Sequence, residues 1–322
     1  MPKPITEILA DLKRDADRWK AFQEWWDEDW SWEGLPEKLR REAIGVKDLQ
    51  EYWRDQEDRL VEFAGRRWTL AHLPPCDREG EVVYSDWFAA KSDDFWNAIH
   101  QRLPDVSLPI IDVILVDQIT PRPATFYGVV FPGWPKDQFQ EIVSANFKQS
   151  MFIGWCSFSY TKFAHSTFDE ARFLGDGAYF DGAEFFGGAH FSFTKLLAGT
   201  ITFSDTKFHG GAYFRKSVLR WPSFLDAVFE DGCDFADMVL VNSGCYFNGT
   251  QFGGGYAHFD RVVFNGVADF SFAKFDSVAS FTDSEFKFDV YFRCDKGGKF
   301  AAAADFNGAN LIYAGEKYVG VS

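Results

Sequence analysis

From Asn146 onward, large apolar residues return every five to seven positions, and the residue two places before each is usually small. The stretch FSDTKFHGGAYF, Phe203 to Phe214, is representative: Phe208 and Phe214 follow Thr206 and Ala212. Such a period matches neither the 3.6 of a helix nor the 2 of a strand. The chain reads instead as doublets, among them FSYTKF, FDGAEF, FSDTKF, FLDAVF, FNGTQF, FSFAKF and FTDSEF, whose two large members lie five apart. The spacing predicts a narrow coil in which the large residue and the small one before it both point inward, alternating sizes to fill a thin core. The expected core is Phe147, Phe152, Phe158, Phe163, Phe168, Phe173, Phe180, Phe185, Phe191, Phe203, Phe208 and Phe214 in its first part. It continues with Phe224, Phe229, Phe235, Phe247, Phe252, Phe259, Phe264, Phe270, Phe275, Phe281, Phe286 and Phe292.

Asp181-Gly182, Asn248-Gly249 and Asn265-Gly266 suit corners, because these residues tolerate tight or left-handed backbone. One coil cannot bury its Phe alone, so successive coils must stack. The small-x-Phe/Leu-x-x pattern resembles the pentapeptide-repeat family over Asn146 to Leu311. The resemblance implies a mainly β fold: a right-handed, four-sided parallel β-helix. One departure is that extra residues enter at many alternate corners, where bulges are expected. At two doublets, about 22 residues, per coil, Phe147 to Leu311 should give seven to eight coils and a rod roughly 36 Å long. The segment CDKGGKFAAAADF, from Cys294, loses the doublet spacing and reads as a terminal cap. The expected division is an α+β domain over 1–140, the β-helix over 141–312 and a tail over 313–322.

The front follows another grammar. Ile5, Ile8, Leu9, Leu12, Ala16, Trp19 and Trp26 fall near helical spacing, as do Leu49, Tyr52, Trp53, Leu60 and Phe63, closed by Gly65. Pro36 is placed to open a short helix between them. EVVYS, IIDVILV and TFYGVVF read as strands and DFWNAIHQRL as a helix. The stretch EWWDEDWSWEGL sets four tryptophans beside acids; either it forms an aromatic recognition surface, or Trp26 and Trp30 pack inside while Asp27, Glu28 and Asp29 face water.

The repeat also assigns outward positions. One wall is expected to carry an apolar stripe, Ile153, Leu174, Leu197, Val218, Trp221, Val239, Val241 and Val263, and the opposite wall Lys162, Glu184, Lys207, Glu230, Gln251 and Lys274. A contiguous outward apolar stripe marks a contact: with the front domain first, then with a second copy to make a homodimer, then with a foreign protein.

Charge and chemistry narrow the function. A formal net charge of −15 argues against direct nucleic-acid binding, which needs clustered bases. The longest apolar run, Leu108 to Val116, is too short to span a membrane, and no secretory signal opens the chain, so the expected location is the cytoplasm. The five cysteines form no CxxC pair and are expected as reduced space-fillers. The histidines, His72, His100, His165, His190, His209 and His258, lack metal-ligand spacing, and no P-loop, GxGxxG or GxSxG occurs. No catalytic residue, cofactor or metal is therefore expected. Asn248 of the NGT sequon reads as a corner, and the adjacent carboxylates Asp169-Glu170 and Glu230-Asp231 should diverge along the wall.

The leading expectation is a non-enzymatic rod that binds a protein partner, or itself, through its outer walls. The resemblance adds one partner, since some members look like duplex DNA and bind a topoisomerase, DNA gyrase. Residues from Glu141 onward hold only about six of the fifteen excess negative charges, which weakens that candidate. The rival reading is an enzyme whose site lies in the front domain or at its junction with the rod, drawing on His72, Cys76, His100 and Asp112.

Overall fold

The computed structural model describes residues 4–35, 53–81, 87, 91, 93–103, 124–134, 141–241, 244–292 and 304–311. Within them the chain is mainly β, a parallel solenoid of about seven coils preceded by helices and a small hairpin. Each coil has four strand positions. The coil from Ala189 to Phe208 visits a first wall at Ala189–His190, a second at Lys195–Leu196, a third at Thr200–Thr202 and a fourth at Lys207–Phe208. Every pairing between successive coils is parallel: His190 meets Tyr213, Leu196 meets Leu219, Ile201 meets Pro222 and Phe208 meets Phe229. The first and fourth walls join one sheet because strands such as Lys162–Thr167 and Gln251–His258 run straight across the corner between them.

The predicted core sits on the axis. All the named phenylalanines from Phe147 to Phe286 are buried, and Phe292 is half-buried against the same cluster. Rings stack from coil to coil, as in Phe168–Phe191–Phe214–Phe235, with centroids 4.9, 4.9 and 5.0 Å apart and planes within 8°. Across the bore they meet edge to face: Phe203 lies 5.4 Å from Phe214 at 87°. Both geometries favour the ring quadrupoles. The small slots hold Ala189, Ala212, Cys233 and Ala257 on the first wall, all buried. Where the slot after a turn holds Thr, the hydroxyl is satisfied internally: Thr194 Oγ1 donates to the Phe168 carbonyl at 2.8 Å and Thr250 Oγ1 to that of Phe224 at 2.7 Å.

A tight turn follows the Phe at the end of the first and third walls. The amide three residues on returns to the Phe carbonyl, as Ser217 to Phe214 at 3.1 Å, and the residue between, Lys216, has φ +56°. This is type II geometry. Gly182 and Gly249 occupy that position as expected from their dipeptides, but so do Asp205, Asp237, Arg261 and Phe272. Gly266 does not have positive φ, so Asn265-Gly266 serves a different corner; there Asn265 Nδ2 donates to the Leu240 carbonyl at 2.8 Å.

The stack is longer than expected at its N-terminal end and reaches Leu311, as expected, at the other. Ala124–Thr125 pairs with Ala145–Asn146, and Val130–Phe131 with Met151–Phe152, so the solenoid begins ahead of residue 141. Ala304–Asp305 and Asn310–Leu311 continue it beyond the irregular segment, and Phe306 stacks 4.8 Å from Phe281.

At the front, α1 (Ile5–Arg14) and α2 (Ala16–Asp27) form where one amphipathic run was read, separated by Asp15, whose carboxylate caps α2 by accepting the Arg18 amide at 3.2 Å. The second run is corrected by the structure: after a short 3-10 helix at Arg54–Arg59, Val61–Phe63 and Arg66–Trp68 form an antiparallel hairpin. Ala64 and Gly65, both at positive φ, make its turn, so Leu60 and Phe63 do not continue a helix. The expected helix over DFWNAIHQRL is present as α3, Asp93–His100. IIDVILV, Pro36 and most of EVVYS lie outside the described residues.

Candidate interaction surfaces

The second wall is where the front end meets the solenoid. Its outward positions in successive coils are Met151, Arg172, Lys195, Val218, Val239, Val263 and Glu285. Helix α2 lies along this wall, with acids meeting bases coil by coil. Glu28 pairs with Arg172 at 2.7 Å, Glu24 with Lys195, and Asp15 and Asp17 with Arg220 at the corner leaving the wall. From Glu28 to Glu24 the match is geometric: one helical turn rises about 5.4 Å and one stacked strand about 4.8 Å, so acids a turn apart find bases a coil apart.

This docking explains how the expected stripe divides. Ile153, Leu174 and Leu197 are buried within the chain itself, and Arg18 Nε donates to the Leu197 carbonyl at 2.8 Å. Val218, Val241 and Val263 are half-buried. Only Trp221, at 49 %, and Val239, at 39 %, are exposed. The first three were read as outward because the sequence pattern does not reveal what covers a corner.

The tryptophan-rich stretch is likewise internal. Trp25, Trp26, Trp30 and Trp32 are all buried, which overturns its reading as a recognition surface. Trp30 lies over the bare backbone of Gly128, at φ +64°, where a Cβ would come within 2.1 Å of the ring. Lys91, also buried, ties the same region together by donating to the carbonyls of Ala71 and Val130 at 2.8 and 2.9 Å, with its ammonium 4.6 Å from the Phe95 ring centre.

The fourth wall presents Lys162, Glu184, Lys207, Val228, Gln251 and Lys274. Glu230, expected in this row, is displaced: Val228 takes its register, and Glu230 sits at the next corner accepting from His209 Nδ1 at 2.9 Å. The first wall carries His190, Tyr213, Asp234 and His258 in consecutive coils, and His190 stacks on Tyr213 at 5.0 Å.

The third wall differs from these. Its outward strand residues are Ser157, Tyr179, Thr202, Ser223, Tyr246, Asp269 and Tyr291. Its edges add Trp155, Trp221, Leu225 and Phe272, all exposed.

The repeat seen in three dimensions also matches a family pattern in sequence: residues 197–239 match the family of pentapeptide repeats (9 copies). The solenoid carries pentapeptide repeats. No curated protein matches it.

Three of the four residues named for an enzyme site, His72, Cys76 and His100, are described. His72 is fully buried, with Nδ1 2.8 Å from Thr69 Oγ1 and Nε2 2.9 Å from the Tyr127 carbonyl, and burial drives its pKa down to about 3. Cys76 is buried, which pushes its thiol up, away from nucleophilic character. His100 is exposed at the end of α3, and Asp112 lies outside the described residues. Cys156, Cys233 and Cys245 fill small core slots; burial raises all three thiols. Asp169 and Glu170 diverge: Asp169 Oδ1 accepts the Ser192 amide one coil on, while Glu170 takes Gln149 Nε2 from one coil back. Among the described residues no group of three or more His, Cys, Asp or Glu is placed to hold a metal ion, and no helix is long and apolar enough to cross a membrane.

Proposed function

We propose that the protein is a non-enzymatic interaction rod, holding a protein partner on the walls that α2 leaves open. One observation carries this reading: the solenoid interior is filled by stacked rings, while exposed large side chains are fixed on rigid walls at one or two per coil. A filled bore offers no substrate pocket, whereas regularly spaced exposed aromatics suit a macromolecular contact. DNA gyrase or another topoisomerase is one candidate partner, since such enzymes present basic surfaces to DNA; the rod's small share of the excess negative charge weighs against it.

Two measurements test this. Immobilised protein should retain a defined protein from an extract of its native host, and free protein should compete it away. Added to gyrase, with and without a quinolone, the rod should alter supercoiling at micromolar concentrations; unchanged supercoiling removes gyrase as the partner. Turnover of a small molecule without any retained protein would favour the enzyme reading.

A further inference from the structure

The third wall and its two edges comprise residues 155–160, 176–182, 200–205, 221–226, 244–249, 267–272 and 289–292. These spans hold six aspartates, Asp176, Asp181, Asp205, Asp226, Asp269 and Asp289, and not one Lys, Arg or His. The other three walls mix signs: Arg172, Lys195 and Glu285 on the second, Lys162, Glu184 and Lys207 on the fourth, and Arg215, Asp234 and His258 on or beside the first. At the edge nearest the front helices Asp176 and Trp221 meet Arg14, Arg18 and Arg220, and beyond that edge the acidic part of the wall is also the aromatic one. Towards the C-terminal coils, Tyr246 is 37 % exposed, Leu225 43 % and Phe272 49 %. Asp205 and Asp226 border them, exposed at the left-handed turn position. The Asp226 carboxylate leans along the stack over Gly249, where a Cβ would come within 2.0 Å of Oδ1, and so points toward the coil of Phe272.

Aromatic faces and carboxylates share one preference, for cations, and a guanidinium can stack on the first while bonding to the second. The strands of this wall are paired on both sides, so a partner must be gripped by side chains rather than by an added strand. A second copy brought wall to wall would oppose aspartate with aspartate, and nucleic acid or an anionic membrane would be repelled. We propose that the third wall, centred on Tyr246, Phe272, Asp205 and Asp226, is a docking face for an Arg- and Lys-rich segment of a protein partner. This rests on the interaction-rod reading and names the chemistry of the partner.

The test uses the full chain and a labelled peptide of alternating Arg and Ser, followed by fluorescence anisotropy at physiological salt. Tyr246→Ser with Phe272→Asn should weaken binding about tenfold or more, and Asp205→Asn with Asp226→Asn should weaken it about three- to tenfold. Glu230→Gln with Asp276→Asn makes the same change of charge outside this wall and should leave binding within about twofold. All four positions other than Tyr246 and Phe272 are exposed carboxylates, and circular dichroism should show every variant folded. No binding by the native chain, no loss in the aromatic variant, or equal loss in the Glu230/Asp276 control overturns the proposal. If the aromatic variant still retains the native-host protein, the rod reading stands and the assignment to this wall falls; if the native chain retains nothing, the rod reading itself fails.

Discussion

Arg220, at the corner leaving the second wall, forks onto the carboxylate of Asp15 between α1 and α2, with Nη2 3.1 Å from Oδ1 and Nη1 on Oδ2. Asp15 thus joins the helices to the solenoid while capping α2. Burial acts to raise its carboxyl, but the hydrogen bond and charge of Arg220, with the Arg18 amide and guanidinium, hold it below the ordinary carboxylate value. A carboxyl lowered by folding contributes stability that is fully present above its unfolded pKa and is lost as pH falls through the lower folded value. Acid titration of the melting temperature should therefore show a decline below the ordinary carboxylate range, and Arg220→Ala should flatten it. At neutral pH that variant should cost about 1–3 kcal/mol, between the values of exposed and buried pairs. A melting curve unchanged at both pH values would remove the pair as a joint.

Phe214 and Lys207 test which way the coil faces. Phe214 is fully buried between Phe191 and Phe235, at 4.9 and 5.0 Å, whereas Lys207 is exposed on the fourth wall. Phe214→Ala opens a cavity in a stacked column and should cost about 3–5 kcal/mol. Lys207→Ala should stay within about 0.5 kcal/mol. Equal midpoints in urea would contradict the assignment.

The turns offer a stabilising change. Asp205 sits at φ +57°, a conformation that costs a residue with Cβ about 1–2 kcal/mol. Gly182 holds the same turn position one coil earlier, at φ +63°, and a Cβ there would come within 2.7 Å of the Tyr160 ring. Asp205→Gly should raise the stability, and with it the melting temperature, by at most about 1 kcal/mol of free energy after the added unfolded-state entropy. Gly182→Ala should lower it by more than that. The same sign for both would show that backbone conformation does not limit these turns.

Much of the solenoid was legible because its signal is redundant: each Phe is placed by a small residue before it and by its neighbours a coil away. The first coil was legible too, in ATFYGVVF, where Ala124, Phe126, Gly128 and Phe131 repeat the small, large, left-handed and large positions. It went unread because residues 132 to 146 interrupt the spacing. Composition could not show that Asp, Lys, Arg and Phe would take left-handed turn positions, since the turn is imposed by stacked strands on either side rather than chosen locally. Nor could it show the partition of the stripe. Leu197 and Val241 hold the same corner register, one buried and the other half-buried, and what separates them is α2, whose acids at Glu24 and Glu28 find their bases only once the coils are stacked. The third wall was missed for a related reason: its aspartates are scattered along the sequence and become one surface only when coils are superposed.

Leu197 and Val239 make that partition measurable. Leu197 is 2 % exposed, and its carbonyl accepts from Arg18 of α2; Val239 is 39 % exposed, past the last ion pair of the helix. An aspartate at the first position would be buried without a base already committed to it, at a cost of several kcal/mol. Leu197→Asp should release the front helices, seen as rapid proteolytic cleavage near Asp15 at temperatures where the native chain resists. Val239→Asp should leave both melting and proteolysis unchanged, because its carboxylate reaches water. It then reports on association alone: a self-associating chain that uses the open end of the second wall would sediment more slowly with this substitution. Unchanged sedimentation with Val239→Asp removes the exposed end of the stripe as a contact between copies, and resistance to proteolysis in Leu197→Asp would show that the helices do not depend on this wall for their position.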